Sequence, residues 1–273
     1  MTKLPIALQV YSVRDHAEGD LLGILEKIAA MGYSGVEFAG LYDNKPEDVR
    51  AKLDELKLEA ISMHVSLNLL TDQFDMCAEM LTTLGCSWVA ISWMDTSCLP
   101  GGDLWKKTKE DIILTGKKLA KSGITLLYHN HDFEFETHEG EYKLDIMYNT
   151  ISSETLKTEL DTCWIRVGGE DPSKYILKYT SRSPIVHLKD FDRGNGDIFQ
   201  SFVGEKDNRE IKKGRGEDFD FKPVGYGEQN IPTVIKSAEK IGAKWLVVEQ
   251  DKSSERDTLE AAKMSIEYIN NNC

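Results

Sequence analysis

Residues Leu104–His131 read LWKKTKEDIILTGKKLAKSGITLLYHNH, and this one stretch contains the repeating unit of the chain. Its first part, Leu104–Lys121, spaces apolar residues at helical intervals among charged ones, the pattern of an amphipathic helix lying on a core. Gly123 follows as a stop signal, because glycine adopts the left-handed conformation that ends a helix without steric penalty. Ile124–His131 is then an apolar run that turns polar only at its end. Such a run marks a strand covered on both faces, as in a parallel sheet wrapped by helices.

The same alternation continues in both directions. Strand-like runs occupy Pro5–Gln9, Gly35–Ala39, Glu59–Val65, Ser87–Trp93, Lys157–Asp161, Ile185–Lys189 and Trp245–Gln250. Between them, Asp20 is a candidate cap for a helix that places Leu21, Ile24, Leu25 and Ile28 on one face. Pro46 suits a first helical turn ahead of Val49 and Leu53. Pro232–Ile241, capped by Asn230, and Ser254–Asn270 read the same way, and Gly32, Gly85 and Gly242 supply further stops.

About eight strand–helix units in unbroken series imply a closed barrel, which needs roughly 250 residues. The chain has 273. An open doubly wound sheet is the alternative, but no G-x-G-x-x-G follows the first strand. The expected fold is therefore α/β, a single (β/α)8 TIM barrel forming one catalytic domain over residues 1–273. One long irregular stretch, Phe191–Gln229, falls between the seventh strand and the seventh helix, with Gly194-Asn195-Gly196 and Lys213-Gly214-Arg215-Gly216 inside it. It is a loop on the face where barrel enzymes work, and a candidate lid.

Composition narrows the function. Lys and Arg total 33 against 46 Asp and Glu, a formal net charge of -13. That balance repels phosphate backbones and anionic membranes, so neither nucleic acid nor membrane is an expected partner. No stretch reaches the roughly 18 unbroken apolar residues of a membrane span. The N-terminus reaches Arg14-Asp15 after a short apolar run, unlike a signal peptide, and a cytoplasmic protein is expected. The five cysteines are scattered without any C-x-x-C, which points to reduced thiols; Cys163 alone sits where a nucleophile is conceivable.

In a barrel, residues at the C-terminal ends of the strands converge on one opening. This chain places there Gln9, Tyr11, Glu37, His64, Trp93, His129, His131, Glu134, Asp161, His187, Lys189 and Glu249. Polar groups ending apolar strands cost stability when unpartnered, so their repetition around one rim needs a cause. Carboxylates mixed with histidine suit one divalent ion: Mn²⁺, Mg²⁺, Co²⁺ or Zn²⁺. Such an ion polarises a carbonyl, and a nearby carboxylate or imidazole removes the adjacent proton.

The strings LQVYSVRD (Leu8–Asp15), YHNHDFEF (Tyr128–Phe135), ELDTCWIRVGGEDP (Glu159–Pro172), VHLKDF (Val186–Phe191) and VVEQD (Val247–Asp251) resemble the xylose isomerase-like TIM barrel superfamily. They are most similar to its sugar (phosphate) isomerase/epimerase branch, near the inosose dehydratase and keto-sugar epimerase groups. The resemblance implies one metal held by Glu, Asp, His and Glu from four strands. Asp161, His187 and Glu249 match that pattern. At the first position many relatives carry Glu at the strand end, where this chain has His129. Glu134 is the nearest carboxylate and the expected fourth ligand, with His129 as competitor.

Glu249, His129 and Glu134 are then the candidate catalytic groups, and His64, His131, Lys189 and Gln9 the candidate substrate contacts. Each has a plainer reading. Asp161 would suit a helix cap, His187 a satisfied core histidine, and Glu249 a buried ion pair with Lys189. Trp93 and Trp164 would suit rim packing, and Arg166 and Arg193 exposed surface. The expected activity is a metal-dependent isomerase or epimerase acting on a small sugar-like substrate through an enediolate, and a homo-oligomer is compatible with it. A lyase of the inosose dehydratase type would use the same residues. An apurinic endonuclease would need more histidine ligands than six His allow, and a non-catalytic sugar-binding barrel would hold no stoichiometric ion.

Overall fold

The computed structural model describes residues 2–194 and 219–273. Eight strands form a closed barrel: β1 (Ile6–Gln9), β2 (Gly35–Phe38), β3 (Glu59–Val65), β4 (Trp88–Ile91), β5 (Thr125–His129), β6 (Lys157–Asp161), β7 (Ile185–Leu188) and β8 (Trp245–Val248). Every neighbouring pair is parallel, and β8 closes the ring against β1 with Ile6 level with Leu246.

Successive strand residues face opposite sides of the sheet. Outward residues such as Leu8, Val36, Leu126, Tyr128, Leu160 and Val248 join the large core between barrel and helices. Inward residues Ala7, Ile61, Ala90, Leu127, Ile185, Trp245 and Val247 form a second, smaller cluster that fills the barrel. Burial on both faces explains why the strands read as near-continuous apolar runs. Each fully buried aliphatic side chain contributes about 1.5–3 kcal/mol.

Helix boundaries depart from the sequence reading at two points. The first helix begins at Arg14, not after Asp20, because the 3-10 turn Val10–Val13 runs directly into it. Asp20 still behaves as a cap: its backbone is non-helical and its Oδ1 accepts from the Gly23 N–H at 3.0 Å, restarting the helix after a kink. The last helix starts at Thr258, where Asp257 accepts from the N–H groups of Leu259 and Glu260, while the Ser254 hydroxyl donates to Asp220 instead. Asn230 caps Ile231–Ile241 as its position suggested, and Gly32 and Gly242 end their helices at φ of 98° and 81°. No helix among the described residues is long and apolar enough to cross a membrane.

After β7 the chain enters a two-stranded antiparallel neck, Asp190–Asp192 against Asp220–Lys222. The middle of the expected Phe191–Gln229 loop, from Asn195 through Gly196 and the Lys213–Gly216 run, lies outside the described residues. Asp190 secures the neck by accepting from the N–H groups of Phe191, Gly225, Gly227 and Gln229 at 2.9–3.1 Å. Gly227 must be glycine for this: a Cβ there would sit 2.3 Å from Asp190 Oδ1. Arg193 pairs with Glu228 in the bend beyond the return strand and is thereby held at the neck.

Candidate metal centre

Register brings the strand-end groups together. His129 on β5 is level with Glu159 on β6, Asp161 is level with His187 on β7, and His187 is level with Val247 on β8. Glu249, two residues past Val247, therefore rises on the same side as His187. His129, Asp161, His187 and Glu249 are all buried, and each offers a donor atom within 4.8 Å of the others. His187 Nδ1 lies 3.1 Å from Glu249 Oε2, and His129 Nε2 lies 3.7 Å from Asp161 Oδ2.

Asp161 serves two purposes. Its Oδ1 accepts from the N–H groups of Cys163 and Trp164 at 2.8 and 3.0 Å, capping the helix Thr162–Val167. Its Oδ2 is buried with no well-aligned hydrogen bond and faces the centre. Asn130 fixes the backbone here, its Oδ1 accepting from the Asp161 N–H at 3.0 Å. Burial pushes the Asp161 carboxyl up to about 6, against the pull of Lys189.

Lys189 Nζ lies 3.0 Å from Glu249, 3.3 Å from Asp161 and 2.7 Å from Asp251, with its side chain only 1% exposed. Burial opposes ionisation of Glu249, but Lys189 and His187 outweigh it and hold the carboxyl well below its usual range. Burial, with His187 adding to it, pushes His129 well below its ordinary value and keeps the imidazole neutral. An ionised carboxylate, a second carboxylate whose inward oxygen has the Lys189 ammonium 3.3 Å away but no well-aligned hydrogen bond, and a neutral imidazole are donors that a borderline divalent cation accepts. His187 joins them on losing its proton. The residues fit such an ion.

Beneath this mouth lies a second set of buried polar groups. His64 Nε2 lies 2.7 Å from Glu159 Oε2 and 3.0 Å from Glu37 Oε1, and His187 Nε2 is 2.9 Å from Glu37 Oε1 without good alignment. Burial works against charge throughout, yet the carboxylates raise His64 to about 10 and His187 well above its ordinary value. Glu37 is held low despite burial, by His64 and His187, whereas burial and the Glu37 charge push Glu159 up to about 7. His64, His129, Glu159 and His187 also fall within 4.8 Å of one another. This layer supports the mouth from below: Glu37 and Glu159 hold His64 in its charged form, and His187, shared between the two sets, would give up its proton to an ion bound above.

The structure gathers Asp161, His187 and Glu249 but does not bring Glu134 to them. Glu134 is fully buried in the turn Phe133–Phe135, its Oε1 accepting from the Tyr128 hydroxyl and its Oε2 from the His131 N–H. Tyr128 precedes His129 and so faces outward from β5, and Glu134 is held on that outer side. His129 is the side chain that lies with the other three. Gln9 does not line the cavity: its amide donates to Glu37 and accepts from the Tyr11 N–H, orienting the lower layer. Cys163 lies in an apolar cluster with Trp164, Val167 and Phe191. Glu159 was missed, although ELD places it two residues from Asp161 and hence on the same face.

Above these groups opens a cavity of about 430 Å³, lined by His64, Trp93, His129, His131, Lys189 and Glu249 among others. Its size is ordinary for a small-molecule site. A larger hollow of about 510 Å³ lies beside the Thr137–Tyr142 hairpin and is lined by none of these residues.

A family model described as xylose isomerase-like TIM barrel matches residues 25–271. The chain is 26% identical over 282 residues to an inosose dehydratase of Geobacillus kaustophilus (strain HTA426), covering 90% of this chain and 85% of that one. Among solved structures it is similar to a sugar phosphate isomerase/epimerase of Parabacteroides distasonis, with a TM-score of 0.75, 20% identity, and 100% and 95% of the two chains covered. It is also similar to an IolI protein with a bound zinc atom, at a TM-score of 0.68, 14% identity, and 98% and 97% coverage.

Proposed function

Since the chain belongs to the xylose isomerase-like TIM barrel family, we propose that it is a divalent-metal-dependent isomerase or epimerase of a keto-sugar or keto-inositol. The observation that carries this reading is the convergence of His129, Asp161, His187 and Glu249 from four strand ends within 4.8 Å. These four would hold the ion, one of Mn²⁺, Mg²⁺, Co²⁺ or Zn²⁺, and the zinc of the IolI relative supports a site of this kind. When bound, a divalent ion withdraws electron density from a carbonyl oxygen and eases loss of the neighbouring proton.

The chain's own residues supply the rest. Lys189 places a permanent positive charge beside the carboxylates and stabilises negative charge developing on the substrate. His131 lines the cavity outside the ligand set, in a position to take the proton and return it to the neighbouring carbon or the opposite face. The Asp190-anchored neck rises directly from the end of β7, two residues after Leu188, and so borders the groups that the strand ends present.

Departure of a β-hydroxyl in place of reprotonation would make the enzyme a dehydratase, a reading supported by the inosose dehydratase relative. Purified protein should contain close to one divalent ion per chain and should exchange deuterium from solvent into the α-position of a keto-inositol. Release of a dehydrated diketone would select the lyase. Undiminished exchange by Asp161→Asn under strict chelation would remove the metal from the mechanism.

A further inference from the structure

The cavity is poorly equipped for a phosphate. Lys189 is the lone ammonium or guanidinium group among the described residues lining it, and Asp161, Glu249 and Asp251 already surround that ammonium at 2.7–3.3 Å. Arg14, beside the rim, donates to the backbone carbonyls of Tyr11 and Asp251 and stacks on the Tyr11 ring at 3.9 Å. Helix N-termini are the other phosphate device of barrels. Here the first N–H groups of the helix Thr162–Val167 are taken by Asp161. Among the described residues, an entering phosphate would meet committed donors and an excess of carboxylates.

The mouth is aromatic instead. Trp93 is 55% exposed and Tyr11 39%, and both line the same cavity from the ends of β4 and β1. Isolated exposed aromatics are ordinary, but two in one cavity above polar groups form a recognition surface. Trp93 is braced edge-on by Phe133 at 6.4 Å, and Phe133 in turn stacks on His131 at 5.4 Å. The ring is therefore braced on one side while more than half of the residue stays exposed. An indole face attracts the polarised C–H groups of a sugar ring or the edge of an aromatic one.

We infer that the substrate is an unphosphorylated glycosyl compound, with one sugar unit over the metal-binding groups and a second ring stacked on Trp93. The inference rests on reading the centre as a sugar-processing site. The test titrates Mn²⁺-loaded protein with methyl β-D-glucopyranoside, phenyl β-D-glucopyranoside, glucose and glucose 6-phosphate, with bound metal measured in parallel. The phenyl glucoside should bind about five-fold tighter than the methyl glucoside, the scale of one aromatic contact. That ratio should fall to near one in Trp93→Ala and recover in Trp93→Tyr, and glucose 6-phosphate should bind about ten-fold more weakly than glucose. Equal or tighter binding of glucose 6-phosphate, a phenyl-to-methyl ratio unmoved by Trp93→Ala, or no binding by any of the four would overturn the inference. Protein that retains these preferences but takes up no metal would sink the metal mechanism and leave the substrate class standing.

Discussion

The Tyr128 hydroxyl donates a 2.5 Å hydrogen bond to Glu134 Oε1, closing this carboxyl off on the outer side of β5. Burial pushes the Glu134 pKa up to about 8 from 4.5, outweighing the hydrogen bonds it accepts. A raised folded-state pKa contributes stability that is complete below the unfolded value and lost as pH rises through the folded one. Wild-type protein should therefore lose stability relative to Glu134→Gln between pH 4.5 and about 8. Thermal melts across that window, with metal content measured alongside, check this. Parallel curves for the two proteins would remove the titration, and metal loss in the Gln variant would restore Glu134 as a ligand.

His129 stands where the family resemblance leads one to look for glutamate. Removing a direct ligand should cost at least the ~10–100-fold in metal affinity typical of losing an outer partner. His129→Ala should lower affinity by that much while circular dichroism stays barrel-like. His129→Glu should keep the metal, because it supplies an oxygen donor from the same strand end. Competition against a chelator of known affinity gives both numbers, and an unchanged affinity in His129→Ala would exclude His129 from the set.

The strands were legible because burial on both faces writes them as apolar runs, and their observed ends lie within two residues of the reading. Asp161, His187 and Glu249 were legible because strand periodicity fixes their direction. Glu134 was not. It lies beyond β5 across a turn, where no periodicity says which way a side chain points, and an outward tyrosine captures it. Glu159 obeyed the period-two rule and was passed over because its neighbour Asp161 explained the motif. The cap reading of Asp161 holds, and it occupies one oxygen while leaving the other facing the centre.

His64 offers a separate alkaline signal. Burial lowers its pKa, but Glu37 and Glu159 raise it to about 10, from 6.5. The stability this contributes is whole below pH 6.5 and disappears as pH rises through about 10. In the Glu134→Gln background, which removes that carboxyl's titration and leaves those of Glu159 and His187, melts should still decline between those limits. Adding His64→Gln should lower stability at neutral pH and flatten that decline. A slope left unchanged by the second substitution would assign the titration to other groups.

Lys189 and a divalent ion would neutralise the same carboxylates, Glu249 and Asp161. Breaking a buried ion pair by removing one partner costs about 3–5 kcal/mol, because the remaining charge is left uncompensated. Lys189→Met should therefore destabilise metal-free protein by about that amount. Any ligand that binds only the folded state restores stability as its concentration exceeds the dissociation constant. Saturating Mn²⁺ should thus recover much of the loss in Lys189→Met and stabilise wild type less, since in wild type the ammonium already serves those oxygens. Melts with and without metal measure the difference. Equal stabilisation of both proteins would mean that the ion and the ammonium do not share these carboxylates.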